Sequence, residues 1–307
     1  MTKIITHHDA DGLISAYLTS FGVKSPKIIV GERFGDTTEW EKGSYMTDMR
    51  PIDPSIEGTV IDHHPGHPGL ADRKYSLVWD QKPASILAWQ KFKDDIPKDQ
   101  WWKTMIGAVG DGQPEKVPYE IWKECPELMQ RTKTFISHSY GEWKVSYMPA
   151  YKLLSSGINA FARYGEYDTA LRLIRKAESP KDIINNPEIV AQKSQLSNTK
   201  TGDFTKVMQS AEIYPLHYMT LCIYNSPNVR LSGYIASVLA SSKENTVVLA
   251  VNSDNGSLSL RGDTANYIKG ELNNLDYVNI DGHDGFCGGN ITKHPYELLK
   301  DLMLMKI

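Results

Sequence analysis

The 307-residue sequence predicts an α/β protein with three parts: a parallel-sheet N-terminal domain over residues 1–125, a helical linker over 126–215, and a smaller mixed-sheet α/β domain over 216–307. Three observations predict this. Short β-branched runs alternate with stretches of helical periodicity, the pattern of a parallel sheet covered on both faces. Several of those runs stop abruptly at an acid or a histidine. The alternation lapses in the middle of the chain and resumes in its last third.

Residues 2–6 read as a strand, followed by the loop His7-His8-Asp9-Ala10-Asp11-Gly12 and a helix over 13–21. Runs at 27–30, 44–48, 59–61 and 76–79 follow, the second ending at Asp48, the third running into Asp62-His63-His64 and Pro65-Gly66, and the fourth ending before Asp80. Helical patterns cover 84–92 and 101–109. Gly110-Asp111-Gly112-Gln113-Pro114 ends the last of these, because two glycines and a proline cannot continue a helix. Helices at 158–162, 170–174 and 187–196 make up the linker, and Asn198-Thr199-Lys200-Thr201-Gly202 reads as a loop. The last third predicts strands at 219–224, 246–251 and 257–260, the last two flanking an Asn255-Gly256 hairpin signal. Helices are predicted at 231–241, 264–272 and 296–305, with a glycine-rich stretch from Asp281 to Gly289.

Composition bounds the function. The chain is 40% hydrophobic and 23% charged, ordinary for a soluble globular protein. A formal charge of -3 lacks the basic surplus of proteins held to nucleic acid mainly by phosphate contacts, so any such contact is expected to be local and short. Cys125, Cys222 and Cys287 form neither a CxxC pair nor a disulfide framework and read as buried free thiols. With no signal peptide and no apolar run of membrane-spanning length, the expected location is cytoplasmic, away from membranes.

The chemistry lies where the runs end. In open α/β sheets ligands bind beyond the carboxyl ends of the strands. His7, Asp9, Asp11, Asp48 and His63 lie at or just after such ends, and Asp111 closes a helix. So many carboxylates resist joint ionisation at close range. Two divalent cations resolve that conflict, and carboxylate with imidazole suits manganese. Taken singly, each residue has an ordinary reading: Asp11 as a helix cap, Asp48 and Asp111 as turn formers, His63 or His64 as a hydrogen-bonded core histidine. Their coincidence in order favours the metal site. His8, His67 and His138 read as solvent-facing or hydrogen-bonded, and Trp101-Trp102 as core packing.

These segments resemble the DHH phosphoesterases, which include RecJ-type exonucleases and nanoRNases. His7-His8-Asp9-Ala10-Asp11-Gly12 is similar to the first family motif, Asp48 to the second, Asp62-His63-His64 to the name-giving third, and Gly110-Asp111-Gly112 to the fourth. Ser259-Leu260-Arg261-Gly262 and the segment from Gly282-His283 to Gly288-Gly289 are similar to the DHH-associated substrate-binding domain. Phe286-Cys287 departs from the small residues common there, and Asp281 replaces a glycine.

The resemblance implies two-metal hydrolysis, with two divalent cations, manganese or else magnesium. His7 and Asp9 would hold one cation, Asp11, His63 and Asp111 the other, and Asp48 both. His64 would contact the phosphate, and Asp62 would orient a ligand histidine. Arg261, Gly282, His283, Gly288 and Gly289 would bind substrate, with domain closure completing the site. The implied substrate is a single-stranded or short oligonucleotide cleaved from an end, with a small-nucleotide phosphatase or dinucleotide phosphodiesterase as the alternative. Rival classes are a non-catalytic nucleotide-binding protein and an inorganic pyrophosphatase.

Overall fold

The computed structural model describes residues 1–31, 37–65, 67, 72–139, 142–226, 231–241, 247–283 and 285–305. Gly66, Thr246 and Asp284 lie outside the described residues, as do the side chains of His138, His283 and Phe286. The chain divides into two compact units, Met1–Ser194 and Gln195–Ile307.

The first unit opens with strand β1 (Thr2–Thr6), helix α1 (Ala10–Thr19), β2 (Pro26–Val30), β3 (Ser44–Thr47), β4 (Gly58–Asp62) and β5 (Ser76–Trp79). The strands form a parallel five-stranded sheet in the order β2-β1-β3-β4-β5. The order reverses direction between β1 and β3, which makes their shared carboxyl edge the topological switch point where this architecture binds ligands. Helices α2 (Ala84–Phe92), α3 (Thr104–Gly110) and α4 (Tyr119–Glu124) follow. A 3-10 segment, Lys98–Lys103, leads into α3 and takes up the first residues of the helix expected over 101–109. Both faces of the sheet are covered. Leu13, Ile14, Ile61, Ile86, Trp89 and Met105 build the larger core, and Ile5, Met46, Met49, Val60 and Tyr75 a smaller one. Such burial explains why β1, β3 and β4 read as near-continuous apolar runs.

The middle of the chain departs from a purely helical linker. Strands β6 (Arg131–Ser139) and β7 (Glu142–Pro149) pair as an antiparallel hairpin before α5 (Lys152–Arg163), α6 (Tyr167–Lys176) and α7 (Pro180–Ile184). Leu154, Ile158, Phe161, Leu171 and Ile183 join the same core as α1 and α2, so these helices belong to the first unit. Helix α8 (Pro187–Ser210) runs through the Asn198–Gly202 stretch expected as a loop. Once turns are nucleated on both sides, helix propagation costs little, and one interior glycine opposes it by only about 1 kcal/mol.

The second unit adds β8 (Glu212–Pro215), β9 (Thr220–Tyr224), α9 (Ser232–Ser241), β10 (Val248–Asn252), β11 (Ser257–Arg261), α10 (Ala265–Leu272), β12 (Val278–His283), β13 (Phe286–Ile291) and α11 (Pro295–Leu304). Its six-stranded sheet runs β12-β13-β11-β10-β9-β8, with only the β9–β10 pair parallel. The glycine-rich stretch forms the facing strands β12 and β13. A Cβ on Gly289 would fall 2.0 Å from the Asn279 carbonyl oxygen, so only glycine fits there. Among the described residues, no helix is long and apolar enough to cross a membrane.

Candidate metal centre

Three neighbouring strands deliver the first candidate ligands. His7 follows β1, Asp48 follows β3 and His63 follows β4, and the parallel register aligns Thr6 with Thr47 and Thr47 with Ile61. The ladder continues one step past the strand ends, where the His7 amide donates to the Thr47 carbonyl at 3.4 Å and the Asp48 amide to the Ile61 carbonyl at 2.9 Å. Asp48 sits at φ +57°, in the left-handed region. That conformation is costly for most residues but tolerated by aspartate. It turns the side chain into the cluster.

The loop after β1 is built around Gly12. A Cβ there would lie 2.3 Å from the His7 carbonyl oxygen, so the first turn of α1 can press onto His7 only without a side chain. Asp9 caps α1, its Oδ1 accepting the Gly12 amide at 3.0 Å. The Ala10 amide donates to Asn159 Oδ1 on α5 at 2.8 Å, and the Thr6 hydroxyl donates to the Gly12 carbonyl at 2.6 Å. The ligand loop is thus tied at both ends.

Distances within the cluster are short. His7 Nδ1 stands 3.0 Å from Asp9 Oδ2 and 3.5 Å from Asp48 Oδ2. His63 Nε2 lies 3.2 Å from Asp48 Oδ1, and His63 Nδ1 lies 3.8 Å from Asp111 Oδ2. Among the described residues two groups have ligand atoms within 4.8 Å of one another: His7, Asp9 and Asp48, and Asp48, His63 and His64. Asp48 belongs to both.

Asp11 and Asp111 fall outside these two groups. Asp111, the C-cap of α3, approaches through His63. Asp11 is buried, and its two oxygens accept the Ala84 amide at 2.6 Å and the Ser85 amide at 3.1 Å, at the start of α2. Gly107 on α3 makes room for it, since a Cβ there would come within 2.6 Å of Asp11 Oδ1. Its carboxylate does the work of a helix cap, yet each oxygen keeps a further lone pair.

Asp62 is hydrogen-bonded to His64 and His67. Its fully buried carboxylate is shared between His64 Nδ1 at 2.7 Å and His67 Nε2 at 2.6 Å, and His67 Nδ1 meets the Tyr75 hydroxyl at 2.9 Å. His67 is itself fully buried. The sequence reads it as solvent-facing or hydrogen-bonded, and it is hydrogen-bonded; nothing in the residues from Pro65 onward names Asp62 as its partner. The oriented histidine is therefore His64.

The electrostatics describe a site assembled for cations. Burial raises the pKa of Asp48, and the neighbouring Asp9 raises it further. Burial likewise lifts Asp11, reinforced by Asp48 and Asp111. Burial alone would lower His63, but hydrogen bonding to Asp48 and the charges of Asp48, Asp111 and Asp11 push it up to about 10. His7 is raised in the same way by Asp9 and Asp48 against the effect of burial. Buried imidazole nitrogens and carboxylate oxygens at these spacings form a donor set that fits two divalent ions.

In the second unit, Arg261 ends β11. Its Nη1 donates to the Leu260 carbonyl at 2.8 Å and the Cys287 carbonyl at 2.7 Å, and Nη2 would stand 3.1 Å from a Cβ on Gly233. Gly282 lies near the end of β12, at φ +132°, with Gly288 and Gly289 on β13. The Phe286-Cys287 position is part of the β13 ladder, and Cys287 is buried beneath it.

No family model and no curated protein matches the sequence. Solved structures do match in fold. A DHH-domain protein described as a member of the s1p family of ribosomal proteins aligns with TM-score 0.66 and 13% identity, over 100% of this chain and 87% of that one. RecJ from Thermus thermophilus, in complex with Mn2+, aligns with TM-score 0.65 and 17% identity, over 98% of this chain and 51% of RecJ. A pGpG-specific phosphodiesterase from Vibrio cholerae aligns with TM-score 0.52 and 12% identity, over 99% and 98%. At such identities the likeness is one of fold.

Proposed function

We propose that this chain, which has the DHH-domain fold, is a two-metal phosphoesterase that hydrolyses single-stranded or short oligonucleotides from an end. The observation that carries the reading is the pair of ligand groups sharing Asp48 at the sheet's switch point. His7 and Asp9 would hold one cation, His63, Asp111 and the remaining lone pairs of Asp11 the other, and Asp48, common to both ligand groups, would contribute to each. Bound there, two divalent cations supply Lewis acidity toward the phosphoryl oxygens and activate water for in-line attack. The chain's own residues orient the reactants. Asp62, fixed by His67, holds His64 through Nδ1, and His64 would contact a phosphate oxygen. Burial of Asp62 and His64 strengthens that charge-assisted contact as negative charge develops. In the second unit, Arg261, Gly282, His283, Gly288 and Gly289 are the candidates for gripping a further phosphate or the chain terminus. Manganese is the favoured ion because the donor set mixes imidazole with carboxylate.

A second reading, a phosphodiesterase for linear dinucleotides, is favoured by the extent of the likeness, which covers 98% of the pGpG-specific protein against 51% of RecJ. Digestion of end-labelled RNA and DNA ladders from the dinucleotide upward, with manganese, tests both. Stepwise shortening to single nucleotides is the expected result. Cleavage confined to dinucleotides selects the second reading. Ladders unchanged with manganese and with magnesium would overturn both.

A further inference from the structure

Beside the metal centre, at the carboxyl end of β2, lies a pocket of about 300 Å³. Its volume is at the lower end for small-molecule sites. Ile28 and Val30 of β2, Leu171 of α6, the aromatic Tyr167 and the carboxylates of Glu166 and Asp168 are among the residues that line it, and the exposed lining is mainly polar. Val30 pairs in register with Thr6, the residue before His7, so the pocket sits one strand away from the first ligand. Ring contacts bridge the gap: His7 and His8 have centroids 4.3 Å apart, and His8 and Tyr167 6.2 Å apart. The Gln192 amide holds the Glu166 carboxylate at 3.2 Å.

The chemistry narrows the occupant. Among the described residues lining the pocket there is no lysine or arginine, and there are two carboxylates. A phosphate is repelled there, while the neighbouring cations would attract it. An aromatic ring beside aliphatic residues in a mainly polar pocket suits a flat ring with polar edges, and carboxylates accept hydrogen bonds without donating them. We infer that this pocket receives the nucleobase of the nucleotide whose phosphate lies on the metal centre, stacking it on Tyr167 and favouring guanine, whose adjacent N1–H and N2–H groups face an acceptor carboxylate. Uracil, with one N–H between two carbonyls, meets Glu166 less well. This deepens the proposed function and rests on its metal-centre reading.

The test titrates the manganese-loaded full chain, by calorimetry, with guanosine 5′-monophosphate, uridine 5′-monophosphate and ribose 5-phosphate. Guanosine monophosphate is expected to bind at least about fivefold more tightly than ribose 5-phosphate, the lower end of base–aromatic stacking. Tyr167→Ala should bring that ratio close to one without altering ribose 5-phosphate binding, and Tyr167→Phe should keep it. Glu166→Gln, an exposed change that leaves the ring in place, should remove the preference for guanine over uracil. Equal binding of all three ligands to the unaltered chain, or ratios unchanged in Tyr167→Ala and Glu166→Gln, would overturn the pocket assignment and leave the metal centre standing. Failure of every phosphate ligand to bind the manganese-loaded chain would instead bring down the metal-centre reading, and this one with it.

Discussion

Asp48 concentrates the chemistry in one side chain, and its backbone separates charge from shape. At φ +57° an asparagine is accommodated nearly as well as an aspartate. Asp48→Asn should therefore fold normally by circular dichroism and thermal melting. Its manganese affinity and hydrolysis should fall by more than the roughly 10–100-fold that outer partners of a metal site contribute. Asp62 predicts a different phenotype. Its carboxylate lies buried between two histidines, so Asp62→Asn leaves an imidazole badly matched and should cost about 3–5 kcal/mol of stability in denaturant titration. Tyr75→Phe removes only the outermost hydrogen bond and should cost about 1 kcal/mol. Titration gives a further handle. His63 has a folded pKa of about 10, above the ordinary 6.5, so its pairing with Asp48 stabilises the metal-free fold fully below pH 6.5 and is lost as pH rises through about 10. Asp62, held below its ordinary 3.8 because His64 and His67 outweigh the effect of burial, contributes above that pH and fades as pH falls. Metal-free denaturant midpoints should thus decline between pH 6.5 and 10, and His63→Gln should flatten that decline. Manganese affinity should rise over the same interval as protons leave the ligands.

At the scale of elements, the site depends on how closely α1 approaches β1. Gly12 permits that approach, and the Thr6 hydroxyl and Asn159 fix it from below and from α5. Gly12→Ala should force α1 away from His7. Overpacking of this kind costs about 1–3 kcal/mol, and manganese binding should weaken with it. Calorimetry and thermal melting on the same sample would show both losses, and a variant that melts normally and binds normally would refute the close-approach account. The strand-end residues were legible in the sequence for a physical reason. Parallel strands buried on both faces are uninterrupted apolar runs, so the step from Thr6 to His7, or from Ile61 to Asp62, stands out. Where tertiary contacts decide, the residues say less. Asn198 to Gly202 has poor helix formers, yet α8 passes straight through them. In the β6–β7 hairpin β6 alternates weakly, but Trp143, Val145 and Tyr147 of β7 alternate with polar residues, a strand signal inside a stretch expected to be helical, and β8 is a four-residue edge strand. Asp11 reads as a candidate ligand, and its additional capping of α2 depends on Ala84 and Ser85, more than seventy positions away.

At the scale of the whole molecule, the candidate metal ligands and the candidate substrate-gripping residues are carried by different units. Every candidate ligand lies between His7 and Asp111, inside the unit Met1–Ser194, whereas Arg261 and the β12–β13 glycines lie in the unit Gln195–Ile307. Each unit has its own core. Leu13, Ile86 and Ile158 pack within the first, and Leu221, Leu249 and Leu260 within the second. Helix α8 is the element the boundary cuts, and Val207 near its end packs with Cys222 and Tyr224 of the second unit. A fragment ending at Ser194 keeps Ile189 in its core and loses only the part of α8 that serves the other unit. That fragment should bind manganese with the stoichiometry of the full chain, read by calorimetry, because all of its ligands and their supports remain. Its hydrolysis of oligonucleotides should suffer mainly through a raised KM, since the phosphate-gripping candidates are gone. A fragment that folds but takes up half the manganese would place a ligand outside the first unit. A fragment with unchanged KM would remove Arg261 and the glycine strands from substrate binding.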